Sequence, residues 1–475
     1  MADHALWTAE ELAAATGGRI EGRVSAALNG VSIDSRSIAP GDIFAAIKGE
    51  NHDGHDFAAD ALKAGAGLAI VARVSEAMRA SGPLLVVKDD PLRALESIGR
   101  ASRKRSHAQI AGVTGSVGKT STKDMLRVAL SASGLTHASV SSFNNHWGVP
   151  LTLARMARET AYGVFEIGMN HAGEITPLTQ MVRPHVAVIT AIAPSHLGHF
   201  SSLEEIADAK AEIFSGVEPG GHALINRNSP YFDRLAAMAR RAGIGNVVGF
   251  GKHPEAQVRL ERIVLHGECC CITARVLGED LIYKLGVAGE HMAMNSLAAL
   301  GAVKLMGADL ARAALALAKA EPAKGRGVRQ RLGVPGGDIL LIDESYNANP
   351  ASVRAALALL AQAKPGRGGR RIAVLGDMLE LGGQGPDLHG DLAEPVDVAQ
   401  VDALYAAGPL MAYLWARTPP ARQGAYAETS DGLRQPLVAA LRAGDVVMVK
   451  GSLGSRMGPL VEAIRAACLS AAKDY

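Results

Sequence analysis

The residues best suited to chemistry lie in one short loop, Thr114-Gly-Ser-Val-Gly-Lys-Thr-Ser121. Gly115 and Gly118 let backbone N–H groups turn toward an anion, and a helix opening behind them would present its positive end there. Lys119 is spaced to reach the β- and γ-phosphates of a nucleotide and the Thr120 hydroxyl to bind Mg²⁺, with Ser116, Val117 and Ser121 completing the cradle. A strict phosphate-loop pattern has a glycine five places before the second one; here that position is Val113. The loop is a shorter G-x-x-G-K-T form and by itself predicts ATP or GTP without choosing between them. Glu166 lies near the end of the apolar run Gly163-Val-Phe-Glu-Ile167. A carboxylate emerging at the carboxyl end of a strand beside a phosphate site can hold Mg²⁺ directly or through water. His196 and Lys210 carry chemistry only in context, because a single histidine or lysine is ordinarily a packing or solvated residue.

These groups need a scaffold, and the chain supplies a recurring one. From Gln109 onward, apolar runs alternate with glycine-rich turns and helical stretches, as in Ile110–Val113, Val186–Thr190 and Ala223–Ile225. That rhythm predicts a largely parallel sheet flanked by helices. Residues 257–288 break it with short alternating segments around Cys269, Cys270 and Cys271, which predicts an attached antiparallel patch. The rhythm resumes at Ile339–Ile342, Ile372–Leu375, Ala403–Ala407 and Val446–Val449, but without a G-x-G-x-x-G fingerprint, so dinucleotide binding does not follow. Asp90 before Pro91, and Asn349 before Pro350, mark helix starts. The fold class expected is α/β in three domains. A small α/β N-terminal domain spans 1–88, a central phosphate-loop domain with a parallel sheet 89–321, and a Rossmann-like C-terminal domain 322–475. The glycine- and cation-rich stretch Pro322–Arg329 is the expected second boundary, and Lys324–Gly327 within it is a candidate hinge.

Composition narrows the classes. At 475 residues the chain exceeds one hydrophobic core. With 49 Lys+Arg against 47 Asp+Glu, no global field singles out nucleic acid or a membrane as partner. No apolar run reaches the length of a membrane span. The first residues have neither the cationic nor the apolar region of a secretory signal, so a cytoplasmic enzyme with reduced cysteines is expected.

The motifs then fall into a recognisable order: Asp34-Ser-Arg36; the phosphate loop; Asn144-Asn145 with Gly148-Val-Pro150; Glu166-Ile-Gly-Met-Asn-His171; and Ser195-His-Leu197. Ala209-Lys-Ala-Glu212, His291 with Asn295, Asp343-Glu-Ser-Tyr-Asn-Ala-Asn-Pro350, Gly376-Asp-Met-Leu-Glu-Leu-Gly382 and Lys450-Gly-Ser452 follow. Over essentially the whole chain this resembles the Mur ligases of peptidoglycan synthesis. The Tyr-Asn-Ala-Asn-Pro and Gly-Asp-Met-Leu-Glu-Leu-Gly segments resemble the branch that joins D-alanyl-D-alanine to UDP-N-acetylmuramoyl-tripeptide. The Asp-Asn-Pro-Arg type motif of the diaminopimelate- or lysine-adding branch is absent.

The resemblance implies an ATP-dependent amide ligase working through an acyl phosphate, with two Mg²⁺ ions. Its catalytic residues would be Lys119, Lys210, His196 and Asn145. One metal would sit on Thr120 and Glu166, and the second on His196 and a carbamylated Lys210. Asn295 would contact adenine, and Arg331 and Asp343 the γ-phosphate and ribose. Asp34, Ser35, Arg36, Lys48 and Gly49 would form the uridine-nucleotide site. Asn347, Asn349, Lys450 and Ser452 would meet the incoming dipeptide or a substrate carboxylate, with Leu453 standing where the family commonly has a polar residue. A monomer is expected. The rival readings are another amide ligase of the same superfamily, such as folylpolyglutamate synthetase, and a nucleotide-dependent switch. The switch predicts an Asn-Lys-x-Asp motif, and the chain has none.

Overall fold

The computed structural model describes residues 5–24, 27–140, 142–195 and 197–471. His196 lies outside the described residues. Three separate sheets organise the chain. The first holds β1 (Arg19–Glu21), β2 (Gly30–Ser32), β3 (Asp42–Ala45), β4 (Leu68–Val71) and β5 (Leu84–Val86) in the order β1-β5-β4-β3-β2. All its pairings are parallel except β1 with β5. A helix Pro91–Arg105 then leads into the next unit, started by the Asp90 carboxylate accepting from Leu92 N–H with proline in the first turn.

The central sheet contains β6 (Gln109–Thr114), β7 (Thr136–Ala138), β8 (Tyr162–Glu166), β9 (Val186–Ile189), β10 (His222–Asn226), β11 (Asn246–Gly251), β12 (Val258–Leu265), β13 (Cys270–Val276) and β14 (Glu279–Leu285). Their order is β14-β13-β12-β11-β10-β9-β6-β8-β7, parallel from β7 through β12. β12, β13 and β14 form an antiparallel meander, the patch expected around the cysteines. Cys270 points inward and is buried, whereas Cys271, next along the strand, is exposed, as period-two alternation requires. Helices Lys119–Ser131 and Glu290–Leu305 pack on one face, and Ile175–Val182 and Leu203–Ala211 on the other, giving two apolar cores on either side of the sheet.

The third sheet comprises β15 (Val328–Val334), β16 (Gly337–Glu344), β17 (Arg371–Gly376), β18 (Ala403–Ala407), β19 (Gln423–Ala427) and β20 (Val446–Lys450). The order is β15-β16-β20-β17-β18-β19, with only β15 antiparallel. It too has a core on each face. Asp445, fully buried before β20, accepts from the backbone and guanidinium of Arg370 and from Arg442 N–H, stapling the start of β20 to the start of β17.

The flanking units are joined to the centre differently. The N-terminal unit is welded on. Trp7 donates its indole N–H to Ala154 O at 2.8 Å, Arg155 donates to Val31 O at 2.6 Å, and Arg105 stacks 3.6 Å from the Trp7 ring centre. Gly99 approaches so closely that a Cβ there would meet Pro150 O at 3.2 Å. The C-terminal unit touches the centre at a few loops. Arg326 reaches Ser142, Arg329 donates to Gly267 O, and Gly198 N–H donates to Glu380 O.

Candidate functional site

The phosphate loop joins β6 to the helix Lys119–Ser131, whose N-terminal position is Gly118. Gly115 has φ +145° and Gly118 φ +87°, a region that side chains disfavour. Space reinforces that restriction. A Cβ on Gly115 would lie 2.1 Å from Thr190 Oγ1, and one on Gly118 2.6 Å from Asn295 Oδ1. Thr190, at the end of β9, donates its hydroxyl to Val117 O at 2.6 Å, and Ser116 N–H donates to Ala191 O, so the neighbouring strand end moulds the loop. Lys119 folds back to donate to Gly115 O at 2.7 Å. Burial pushes its pKa below the ordinary lysine value, with Arg326 adding repulsion and Glu166 opposing the shift. A di- or triphosphate supplies the charge such a lysine lacks.

Glu166 closes β8, next to β6, and is almost fully buried. Its Oε1 accepts from Asn144 Nδ2 at 2.7 Å, while Oε2 is buried without a partner. Asn144 therefore orients this carboxylate. Asn145 uses its Oδ1 to accept from Gly148 N–H at the start of the helix Gly148–Ala154. Thr120 Oγ1 has only a long contact to Ser142 Oγ, 3.4 Å away. A carboxylate oxygen and a hydroxyl free of strong partners suit a hard cation. Among the described residues no cluster of three or more His, Cys, Asp or Glu is placed to cage a metal, so such a cation would draw further ligands from water and phosphate.

Lys210, on the helix Leu203–Ala211, is 0% exposed and its Nζ has no hydrogen-bond partner. Burial drives its pKa well below the ordinary lysine value, and the Lys119 cation drives it further, against the pull of Glu212 and Glu174. Glu212 itself accepts from Gly173, Ile175 and Thr176 N–H groups, tying this helix to the loop that follows β8.

Across from the phosphate loop, the C-terminal unit closes a cavity of about 750 Å³. Lys119, Thr120, Glu166 and Asn295 line it from the central side. Arg326, Glu344, Asn347, Asn349, Lys450, Ser452 and Leu453 line it from the other. Neither of the two nucleotide contacts expected from the third unit, Arg331 and Asp343, lines this cavity. Arg331 lies on β15, 74% exposed and paired with Asp338 at 2.8 Å, outside this cavity. Arg326, within the glycine-rich stretch read as a hinge, faces it instead, stacked 4.4 Å from the Tyr346 ring. Asp343 is buried, accepting from Ser345 and pairing with Arg465, whereas Glu344, one residue on and on the other face of β16, lines the cavity.

The remaining expected contacts on this side are engaged within the unit. Lys450 Nζ donates to Glu344 Oε2 at 3.2 Å and Asn347 O at 3.0 Å. Ser452 Oγ accepts from Leu379 N–H and donates to Ala348 O. Asn349 caps the helix Pro350–Gln362, its Oδ1 accepting from Ser352 N–H.

A larger cavity of about 1720 Å³ lies between the N-terminal and central units. Asp34, Ser35, Arg36, Lys48 and Gly49 line it, together with Asn145, His146 and Trp147. Asp34 accepts a two-pronged contact from Arg36, which holds its pKa down to about 2. Asn144, Gly168, Met169 and Asn170 line both cavities, so the two spaces meet beside Glu166.

Comparison with known proteins agrees with this geometry. Residues 27–102 match the family described as Mur ligase family, catalytic domain; residues 113–303 match Mur ligase middle domain, and residues 330–453 Mur ligase, glutamate ligase domain. The UDP-N-acetylmuramoyl-tripeptide–D-alanyl-D-alanine ligase of Rickettsia prowazekii is 31% identical over 96% of this chain and 99% of its own. A crystal structure of MurF from Acinetobacter baumannii superposes with a TM-score of 0.83 at 30% identity, covering 97% of this chain and 99% of that one. The MurF ligase of Thermotoga maritima, solved in complex with ADP, shares the fold at 24% identity and a TM-score of 0.75, over 93% and 98% of the two chains.

Proposed function

The chain belongs to the Mur ligase family, and from that premise we propose that it uses ATP to join D-alanyl-D-alanine to UDP-N-acetylmuramoyl-tripeptide. The observation that carries this reading is the meeting of the two cavities at Asn144, Gly168, Met169 and Asn170. A long substrate anchored beside Asp34 and Arg36 can deliver its far end to the phosphate loop there.

The tripeptide's terminal carboxylate takes the γ-phosphoryl group of ATP, and ADP leaves. The amine of the dipeptide then attacks the acyl carbon, phosphate departs, and the amine gives up a proton. Both partners of the first step are anions, so cations must converge on them. Lys119 and the amides of residues 117–119 supply fixed positive charge from one side, and Arg326 from the other. The residues present fit Mg²⁺, which would be held by Thr120 and Glu166 and would neutralise charge on the phosphate oxygens. Lys210 is best read as carbamylated. Its neutral amine would add CO₂, forming an N–C bond and releasing a proton, and so become an anionic ligand for a second Mg²⁺ with His196. The orphaned, buried Nζ and its depressed pKa support this, since only the neutral amine reacts. Trp147, Lys48 and the Asp34–Arg36 pair are read as walls of the uridine-nucleotide site. A cytoplasmic monomer completes the reading, and light scattering tests the oligomeric part. Among the described residues no helix is long and apolar enough to cross a membrane.

The decisive experiment measures phosphate release with UDP-N-acetylmuramoyl-tripeptide, ATP and D-alanyl-D-alanine, omitting each in turn and weighing the product. Release that needs all three and a pentapeptide product supports the reading. Release driven instead by diaminopimelate, lysine or glutamate would replace it with another branch of the superfamily.

A further inference from the structure

Leu197 belongs to two cores at once. It packs against the central cluster that includes Ile189, Ile206 and Phe200, and against the C-terminal cluster that includes Met378 and Leu381. Its neighbour Gly198 donates its N–H to Glu380 O at 3.0 Å. Glu380 has φ +64°, a left-handed conformation that a non-glycine residue adopts only under strain. Gly382, at φ +57°, comes so near that a Cβ on it would lie 3.1 Å from Gly198 Cα. Strain and close backbone approach thus coincide where two separately cored units touch. Both sides of that contact also reach the nucleotide cavity, through Ser195, whose buried hydroxyl has no partner, and through Leu379 and Glu380.

We propose that Leu197 and Gly198 are positioning residues, a latch that seats on the loop Leu379–Gly382 and registers the C-terminal wall of the cavity against the central one. This rests on the ligase reading above and adds a residue-level cause for coupling. With the latch seated, the acyl phosphate meets only the dipeptide amine; with it wedged apart, water reaches the same acyl carbon and phosphate is released without an amide. The contact suits this task because it is small. It consists of one backbone hydrogen bond and one shared leucine, a contact that can seat and release within each cycle.

Gly198→Leu is the test. The backbone of Gly198 is not left-handed, and a Cβ there would meet Gly382 N at 3.6 Å and Glu380 O at 3.7 Å, so the first added atom fits and the rest of a leucine does not. Phosphate released per amide formed should rise from near one to several, and amide turnover should fall about tenfold or more. Affinity for Mg·ADP, measured by calorimetry, should stay within about twofold, because the phosphate loop is untouched. Gly383→Leu, next along but with nothing within 4 Å of its Cβ, should match wild type in all three. Wild-type coupling and turnover in Gly198→Leu would overturn the proposal. So would a matching loss of Mg·ADP affinity, which would mark local damage to the central unit. If wild type makes no amide from D-alanyl-D-alanine, the ligase reading fails first and separately.

Discussion

The two walls of the nucleotide cavity are built on the same plan and left in opposite states. Each is the carboxyl end of a parallel sheet, where loops and helix starts gather polar groups. On the central wall those groups are unsatisfied. Glu166 Oε2, Ser116 Oγ and Ser195 Oγ are buried without partners, and Lys119 is bonded only to loop carbonyls; Lys210 Nζ, which feels the Lys119 charge without lining the cavity, is buried and unpartnered too. On the C-terminal wall nearly every one is engaged: Lys450 with Glu344 and Asn347 O, Ser452 with Leu379 N–H and Ala348 O, Asn349 with its own helix. Buried polar atoms without partners are uncommon because each costs on the order of 1–3 kcal/mol. Their concentration on one wall marks the surface made to receive phosphate and metal. The other wall is a self-sufficient clamp. Removing a group from the first should therefore damage chemistry and spare the fold, and removing one from the second should do the reverse.

Lys119→Ala should show the largest separation. Losing the main cation at the transferred phosphoryl group should lower turnover by about a thousandfold or more. The melting temperature should hold or rise, because the lysine is buried with its charged form disfavoured. A fall in melting temperature comparable to that of a core mutant would erase the contrast between the walls.

Arg326 sharpens the comparison because, among the described residues, it is the cation on the C-terminal wall that is stacked on Tyr346 rather than ion-paired. Arg326→Ala should lower turnover by about a hundredfold, whereas Arg331→Ala, exposed on β15, should leave it within about twofold. The reverse ranking would restore Arg331 as the phosphate contact. This pair also shows where reading the chain reached its limit. The phosphate loop, Glu166, the antiparallel patch and the cap at Asn349 were legible because each depends on local spacing. That Glu344 and Asn144 line the nucleotide cavity, and Asp343 and Asn145 do not, was not. β16 is buried on both faces near its end, so hydropathy alternation does not reveal which of two adjacent carboxylates looks into the cavity. Arg326 was visible only as part of a flexible-looking Gly-Arg-Gly run. The chain alone could not show that Gly325, at φ +72° and so placed that a Cβ on it would lie 3.0 Å from Tyr346, is a turn that aims it.

Two buried lysines, Lys450 and Lys210, give a paired test on stability. Lys450→Met removes two hydrogen bonds and leaves Glu344 beside an apolar side chain, which should cost about 2–4 kcal/mol and lower the denaturation midpoint. Lys210→Met should do the opposite in protein stripped of bicarbonate, because it replaces an unpartnered buried amine with a side chain of similar length. It should also abolish turnover and remove the 44-dalton adduct expected of a carbamate, by the mass of CO₂ added to the amine. If Lys210→Met proves as destabilising as Lys450→Met without bicarbonate, the amine has a structural partner and the contrast between the walls fails at its deepest point.

The smallest effect expected concerns how the clamp holds its shape as pH falls. His389 is fully buried, with Nε2 accepting from Met378 N–H and Nδ1 donating to Gly385 O. That arrangement needs the neutral ring, and burial lowers its pKa below the ordinary histidine value, with nearby Asp377 opposing the shift. Above about pH 6.5 the ring is neutral folded or unfolded, and its full contribution is present. Below that, the unfolded chain takes up a proton that the folded one refuses, so stability falls by up to about 1.4 kcal/mol per pH unit until the lowered folded pKa is reached. His389→Gln should therefore be somewhat less stable than wild type at pH 7.5, yet lose less further stability between about pH 6.5 and 5. Urea midpoints at those pH values test it, and parallel acid slopes in the two proteins would show that the loop Asp377–Gly382 does not depend on a neutral imidazole beneath it.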